Sequence, residues 1–232
     1  LEANKLRARI ARKNVRAYPW RICKVDIVHC ESTKFVTKTP FDIVICELMA
    51  TLVHGEDMNK YICDLYQRNI VRTFGDTVYC IPARAQLWLQ KYKLSTCDDG
   101  EIFMRKELIK RGTGQFAVSQ EYGIFPHSES LHPVGESIQL FDQPIHKPVE
   151  LNSVETELEE NCCLVAEWRC RLFDDIVLNH TVNSVSRLSP YEYYMRMNNW
   201  GFKVFASSKT QKFTVRVTDD DLKVTCTKRK RE

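Results

Sequence analysis

Two glutamates nine positions apart, Glu47 and Glu56, are the residues of this sequence whose type and spacing best suit chemistry. Glu47 directly follows the compact apolar run 41–46, which lacks helical periodicity and is predicted to be a short buried strand. Glu56 follows Gly55, just before a predicted helix. Ligands of an open α/β sheet bind beyond the carboxyl ends of its strands, so both carboxylates are expected on one loop at that edge. Such a pair can bracket a planar guanidinium through paired hydrogen bonds.

The chemistry that this pair would serve is attack by a guanidinium nitrogen on an electrophilic methyl group. Arginine stays protonated at physiological pH and spreads its charge over three nitrogens, so each nitrogen is a poor nucleophile. Two anions facing one side of the group can polarise that charge and leave a terminal nitrogen better able to attack, and in-line placement supplies the rest. No metal or covalent intermediate is required. The competing interpretation is two solvated carboxylates, because acidic residues are common on loops.

The elements that would position this loop alternate between helix and strand. They are a helix over 4–14, strands over 22–29 and 41–46, a helix over 57–69, a turn at Gly75 and Asp76, and a strand over 77–81. This order is typical of an α/β fold with a mostly parallel sheet. After Pro82 the pattern predicts strands over 137–141, 163–173, 176–185, 201–206 and 212–217. We therefore expect an α/β part over 1–82 and a mainly β domain over 83–232.

The segment 97–130 is polar, carries a charged run over 105–111 and has no clear period. Loops of that length are usually functional or disordered, so an arm or insertion is expected there. Within it, residues 112–117 match the letters of a dinucleotide-binding fingerprint, but no buried strand precedes them, and a surface turn is the better interpretation.

Charge and cysteine content narrow the class of protein. The 34 basic and 30 acidic side chains are too balanced to make nucleic acid the default partner, and the basic run 228–231 is taken as a solvated terminus. The ten cysteines lie in apolar runs without a Cys-x-x-Cys pair, which indicates buried reduced thiols in a reducing compartment. No apolar stretch approaches the ~20 residues of a membrane span, and no signal peptide opens the sequence, so a cytoplasmic or nuclear location is expected.

Three segments of the sequence resemble protein arginine N-methyltransferases. Glu47 and Glu56 fit the double-E loop of that family, and the local residues 47–49 and 55–56 are closest to its divergent tandem-module members. Residues 80–85 are similar to the segment that enters the family's β-barrel. Residues 198–205 are similar to its Thr-His-Trp substrate loop: Trp200 matches, whereas Asn198 and Asn199 replace Thr and His. The resemblance implies that Glu47 and Glu56 are catalytic and that Met49, Asn199 and Trp200 contact the substrate.

The same resemblance implies a cofactor, S-adenosyl-L-methionine. Glu2 matches the acid that holds the ribose hydroxyls, and Glu31 and Ser32 match positions that meet the adenine ring. The family's glycine-rich loop, expected about 20 residues before that acid, is absent from the sequence given, so the chain is expected to be a fragment of the catalytic core. The implied fold class is α/β, with a partial class I, Rossmann-like methyltransferase sheet followed by a β-barrel-like domain.

The expected function is therefore arginine methylation of a protein substrate. Expected partners are an arginine-containing protein and a second copy or tandem module joined through the arm near 97–130; no membrane is expected, and nucleic acid is not a favoured partner. One alternative is a catalytically silent partner or scaffold, which the missing glycine loop and the altered Thr-His-Trp site favour. A nucleobase methyltransferase ranks third, because no aromatic platform for a flipped base follows Cys46.

Several of these residues also have simpler interpretations. Glu2 would favour a helix amino terminus through the helix dipole. Trp200 lies in an alternating apolar segment and would suit a core position. The six histidines show no metal-ligand spacing. His54, inside the double-E loop, is expected to be a solvated loop residue.

Overall fold

The computed structural model describes residues 1–18, 23–49, 52–75, 77–94, 118–119, 131–160, 162–185, 202–206, 210–219 and 221–226. It is a mixed α/β fold with a small parallel sheet and a larger antiparallel sheet that curls into a half-barrel. This confirms the expected fold class.

The first helix, α1, spans Lys5–Ala17 and confirms the helix predicted over 4–14. Asn4 is its amino-terminal cap, because its side-chain oxygen accepts from the backbone N–H groups of Leu6 at 2.9 Å and Arg7 at 3.1 Å. The helix carries no acidic residue in its first turn, and Ala8 is its buried residue. Leu6 and Ile10 of this helix are exposed.

Parallel pairing precedes Pro82. Strand β1, Val44–Ile45, pairs with β2, Cys80–Ile81, and isolated parallel bridges join Glu2 to His29 and Phe41 to Val71. These strands are shorter than predicted, and within residues 23–29 the bridge at His29 replaces the predicted strand. The run 41–46 is also less buried than predicted, because its side chains alternate between exposed and half-buried from Ile43 onward.

Helix α2, Met58–Gln67, follows a 3-10 turn at Gly55–Asp57. Its carboxyl end is a Schellman motif: Asn69 takes a left-handed conformation with φ 54°, its N–H bonds to the carbonyl of Tyr66, and the N–H of Ile70 bonds to the carbonyl of Leu65. Leu65 and Ile70 are both buried in the core. The helix predicted over 57–69 therefore ends where an asparagine can turn the chain.

The antiparallel part consists of two sheets. The longer strands of the larger sheet are β3, Arg84–Leu94, and β8, Cys162–Phe173, which pair from Arg84 opposite Arg171 to Lys93 opposite Cys162. The rest of that sheet is β4 (Val118–Ser119), β5 (Leu131–Pro133), β6 (Ile138–Pro144), β9 (Ile176–His180) and β10 (Lys203–Ala206), in the order β4-β10-β8-β3-β5 with β6 on β3 and β9 on β8. The smaller sheet has the order β12-β11-β7, from Leu222–Cys226, Gln211–Val217 and Ser153–Leu158.

One predicted strand is cut short. The run 176–185 ends as a strand at His180, and helix α3, Val182–Val185, follows it. The side chains of Thr181 and Ser184 each accept from the backbone N–H of the other, which closes a capped turn. Of the predicted arm over 97–130, the segment Val118–Ser119 lies within the described residues. The division of the chain into two domains at residue 82 stays a prediction.

The core joins the two parts of the chain. Met58 and Ile62 of α2 belong to the same buried cluster as Leu87 of β3 and Phe141 of β6. The eight cysteines whose side chains are described are free, and five of them are buried: Cys63, Cys80, Cys162, Cys163 and Cys170. Among the helices of the described residues the longest has 13 residues, and none has the length and apolarity that crossing a bilayer requires.

Candidate functional site

A cavity of about 1200 Å³ opens along the edge of the parallel sheet. All of the sequence-predicted site residues that the structure describes line it: Glu2, Glu31, Ser32, Glu47, Met49 and Glu56. The exposed side chains of Ile43 and Ile45 face the same space, which explains why the run 41–46 is not buried. The structure therefore brings both predicted clusters together at one sheet edge.

Glu2 lies at one end of this cavity. Its backbone holds it beside the segment around His29, since its N–H donates to Val28 and its carbonyl accepts from Cys30. Its carboxylate oxygen Oε1 accepts from the backbone N–H of Asn4 at 2.7 Å. A carboxylate can accept about four hydrogen bonds. Glu2 thus supports the start of α1 and keeps accepting capacity toward the cavity.

Glu31 and Ser32 begin a second wall, the 3-10 turn Ser32–Lys34. The Glu31 carboxylate pairs with Lys34 at 2.7 Å, and both side chains are largely exposed. Such a pair contributes little to stability. The Ser32 carbonyl accepts from a guanidinium nitrogen of Arg68 at 2.7 Å, which fixes the turn against α2.

Glu47 and Glu56 lie on the loop between β1 and α2, and both are exposed. The N–H of Cys46 donates to the carbonyl of Ile81 at 2.8 Å, so Glu47 directly follows the last residue that is hydrogen-bonded to β2. Glu56 and Asp57 both have left-handed backbones, with φ 58° and 57°. Such a conformation costs a non-glycine residue roughly 1–2 kcal/mol, and strain of this kind clusters at functional sites. Within the described residues, neither carboxylate forms a hydrogen bond or an ion pair.

The middle of this loop is buried. Leu52, Val53 and His54 are at most 3% exposed, and the His54 ring meets the ring of Phe141 on β6 edge-on, with centroids 5.3 Å apart. The prediction that His54 is a solvated loop residue is therefore wrong. The loop folds back onto the antiparallel sheet between its two glutamates, which leaves its two ends at the cavity.

Two side chains of α2 fasten the helix to the turn after β6. The side-chain NH₂ of Asn59, 4% exposed, donates to the carbonyls of Ile145 at 3.1 Å and Lys147 at 2.9 Å. The thiol of Cys63 donates to the carbonyl of His146 at 3.0 Å. Sequence reasoning missed these contacts. The available signal was a polar residue beside Met58 on the apolar side of the predicted helix.

Asn199 and Trp200 lie outside the described residues, so their substrate contacts stay predictions. Phe202, two positions later, is buried and stacks on His180 with centroids 4.4 Å apart. No group of three or more metal-ligating side chains occurs in the part of the chain that the structure describes.

The fold is similar to those of solved protein arginine methyltransferases. A chain of the Trypanosoma brucei PRMT1 enzyme–prozyme heterotetrameric complex with AdoHcy matches 96% of this chain and 73% of its own length, with 14% identity and a TM-score of 0.60. Arabidopsis thaliana protein arginine methyltransferase 10, solved in an open conformation, matches 93% and 70%, with 14% identity and a TM-score of 0.58. No protein-family model matches the sequence. At this identity the likeness is one of fold, a Rossmann-like part followed by a β-barrel domain.

Proposed function

We propose that the protein is an S-adenosylmethionine-dependent protein arginine N-methyltransferase. The observation that carries the proposal is the shared cavity, whose walls include Glu2, Glu31 and Ser32 as well as Glu47 and Glu56. The similarity to two solved arginine methyltransferases over more than nine-tenths of the chain supports it.

The cofactor assignment rests on the donor set of the cavity. The remaining accepting capacity of Glu2 suits a pair of ribose hydroxyls. Ser32 would offer a small polar side chain to the adenine ring. The cavity of about 1200 Å³ exceeds the usual upper range of about 1,000 Å³ for a single ligand. It has room for the cofactor and an arginine side chain together. When bound, S-adenosylmethionine would supply the electrophilic methyl group.

Glu47 and Glu56 would hold the guanidinium. Both carboxylates border the cavity without a cationic partner among the described residues, so they are available to accept from its N–H groups. Charge-assisted bonds of this kind are about twice as strong as neutral ones. The buried centre of the loop keeps the two carboxylates in place, and a fixed pair can orient one nitrogen toward the methyl group.

The test is methyl transfer from radiolabelled S-adenosylmethionine to an arginine-rich protein. Glu47→Gln keeps the size of the side chain but removes its charge, so transfer should fall by about 10²-fold or more, the usual loss when one electrostatic stabiliser is removed. Binding of S-adenosylhomocysteine should stay within about twofold of wild type. The matched control is Glu157→Gln on the exposed face of β7, which should retain activity. Unchanged turnover in Glu47→Gln would contradict the proposal.

A catalytically silent partner or scaffold remains the second candidate. Two contacts favour it, because Glu2 already accepts from Asn4 and Glu31 is paired with Lys34. Calorimetric titration of the complete protein with S-adenosylhomocysteine separates the two candidates. Binding supports the enzyme, whereas no binding together with no transfer supports the silent subunit.

We further propose that the protein assembles with a second copy or a tandem module. One of the similar structures is a heterotetrameric enzyme–prozyme complex. Light scattering of the purified protein tests this assembly, and a monomer across the micromolar range would count against it. A cytoplasmic or nuclear location stays a prediction, which imaging of the tagged protein in cells would test.

A further inference from the structure

Arg68 ties two walls of the cavity together without lining the cavity itself. It is the carboxyl-terminal cap residue of α2. Its Nη1 donates to the carbonyl of Phe35 at 2.7 Å, and its Nη2 donates to the carbonyl of Ser32 at 2.7 Å. Both acceptors belong to the turn after Glu31. One guanidinium thus spans the whole 3-10 turn.

Asp64, one helical turn earlier, orients this guanidinium. Its two carboxylate oxygens each lie 2.9 Å from Nε of Arg68. The hydrogen bond and charge of Asp64 raise the pKa of Arg68. The two side chains are 28% and 29% exposed, so solvent screens the pair only in part. A lysine has no planar fork and cannot reach two carbonyls and a carboxylate in this geometry.

The atoms that Arg68 fixes belong to the cavity wall. Ser32 and Phe35 line the cavity beside Glu31, and the α2 residues Ile62 and Leu65 line it from the other side. Helix α2 begins at Met58, two residues after Glu56. Arg68 therefore sets the spacing between the turn assigned to the adenine ring and the helix that follows the second glutamate.

We infer that Arg68 is a positioning residue for the adenosine half of the cofactor. It acts by holding the 31–35 turn against α2, and it touches neither the cofactor nor the guanidinium. This inference rests on the proposed function. It predicts an effect on cofactor affinity and none on the arginine substrate.

The decisive variant is Arg68→Lys, measured by calorimetry with S-adenosylhomocysteine and with adenosine alone. Loss of the two carbonyl contacts should raise the Kd of both probes by about tenfold, the equivalent of about one net hydrogen bond. Because adenosine contains the half that Arg68 positions, both probes should lose affinity by the same factor. At saturating S-adenosylmethionine, kcat and the KM for an arginine peptide should stay within about twofold of wild type.

Arg72→Lys is the matched control. Its guanidinium also bonds one carboxylate, that of Asp42 at 2.9 Å, and one backbone carbonyl, that of Pro40 at 3.0 Å. Arg72 does not line the cavity. The control should therefore leave both Kd values unchanged, even where the two variants lower the thermal midpoint equally.

Wild-type affinity for adenosine in Arg68→Lys would overturn the inference. If that variant does not fold, Asp64→Asn decides, because it keeps Arg68 and weakens only its orientation. A Kd for adenosine raised by about two- to fivefold would then support the inference, and an unchanged Kd would overturn it. Failure of the unsubstituted protein to bind S-adenosylhomocysteine would instead overturn the proposed function and this inference with it.

Discussion

The ring of His54 stands edge-on to the ring of Phe141, with centroids 5.3 Å apart and planes at 88°. His54 lies between the two cavity glutamates in sequence, and Phe141 lies on a strand of the antiparallel sheet. The loop that carries Glu47 and Glu56 is thereby packed against the other half of the protein. Its shape depends on a contact 87 positions away in the sequence.

The first prediction concerns the energy of this contact. A double-mutant cycle with His54→Ala and Phe141→Leu should give a coupling free energy of about 0.5–1.5 kcal/mol, since aromatic pairs contribute that much beyond burial. Urea unfolding of the four proteins measures it. A control cycle pairs Phe141→Leu with His132→Ala instead, and because His132 lies at an exposed strand position, its coupling free energy should be near zero. Additive effects for His54 and Phe141 would contradict this packing.

The second prediction concerns the anchor of α2. Asn59→Asp replaces a donor by an acceptor that faces the carbonyls of Ile145 and Lys147, so both carbonyls lose the hydrogen bond from Asn59. The free energy of unfolding should fall by about 2 kcal/mol or more, because each unsatisfied buried group costs about 1–3 kcal/mol. Chemical denaturation at neutral pH measures this loss. The same change at exposed Asn14 of α1 should alter stability by less than about 0.5 kcal/mol.

A third prediction follows from the left-handed residue that ends α2. Asn69→Ala should lower the free energy of unfolding by about 1 kcal/mol, because alanine adopts this backbone conformation less readily than asparagine. Asn69→Gly should be neutral or stabilising, because glycine has no Cβ to strain. Thermal unfolding of both variants checks the order. Equal stability of the two would mean that φ at this position is not positive in solution.

The fourth prediction is a pH dependence of stability at Glu167. This buried side chain accepts from the hydroxyl of Tyr92 at 2.6 Å and from the N–H of Val182 at 2.8 Å. Burial raises its pKa, although both hydrogen bonds and Arg169 act in the opposite direction. The folded state therefore holds a proton that the unfolded state releases above its ordinary pKa of 4.5. The stabilisation is complete below that pH and is lost as pH rises through the folded pKa.

Glu167→Gln tests this dependence, because glutamine keeps an acceptor oxygen but cannot ionise. Urea unfolding across about pH 4 to 8 should show the variant gaining stability relative to wild type as pH rises. A constant difference between the two proteins would contradict a raised pKa. Glu157→Gln, exposed on β7, supplies the baseline.

Local sequence signals were sufficient to predict the loop that carries Glu47 and Glu56 and the helix that follows it. An apolar run before Glu47 and a glycine before Glu56 placed both carboxylates on one loop beyond the end of a strand, and both line the cavity. Strand β3 was not predicted, although buried Ala85, Leu87 and Leu89 alternate with less buried neighbours and give the period of two.

Contacts between distant segments could not be predicted from the sequence alone. The burial of His54 depends on Phe141, and nothing in residues 52–55 specifies a partner on another sheet. The same holds for Arg68, whose carbonyl partners lie more than 30 positions earlier. A run of apolar residues also does not reveal that one of its faces borders a cavity, which is why residues 41–46 were expected to be buried.

The high pKa values of several cysteine thiols have a practical consequence for labelling. Burial raises the pKa of Cys46 to about 11 and those of Cys163 and Cys170 to about 12, so their reactive thiolate is scarce near neutrality. Among the eight described cysteines, Cys23 is the exposed one, and its neighbour Lys24 lines the cavity. A maleimide fluorophore would therefore react at Cys23 before these three and place a reporter at the cavity's rim.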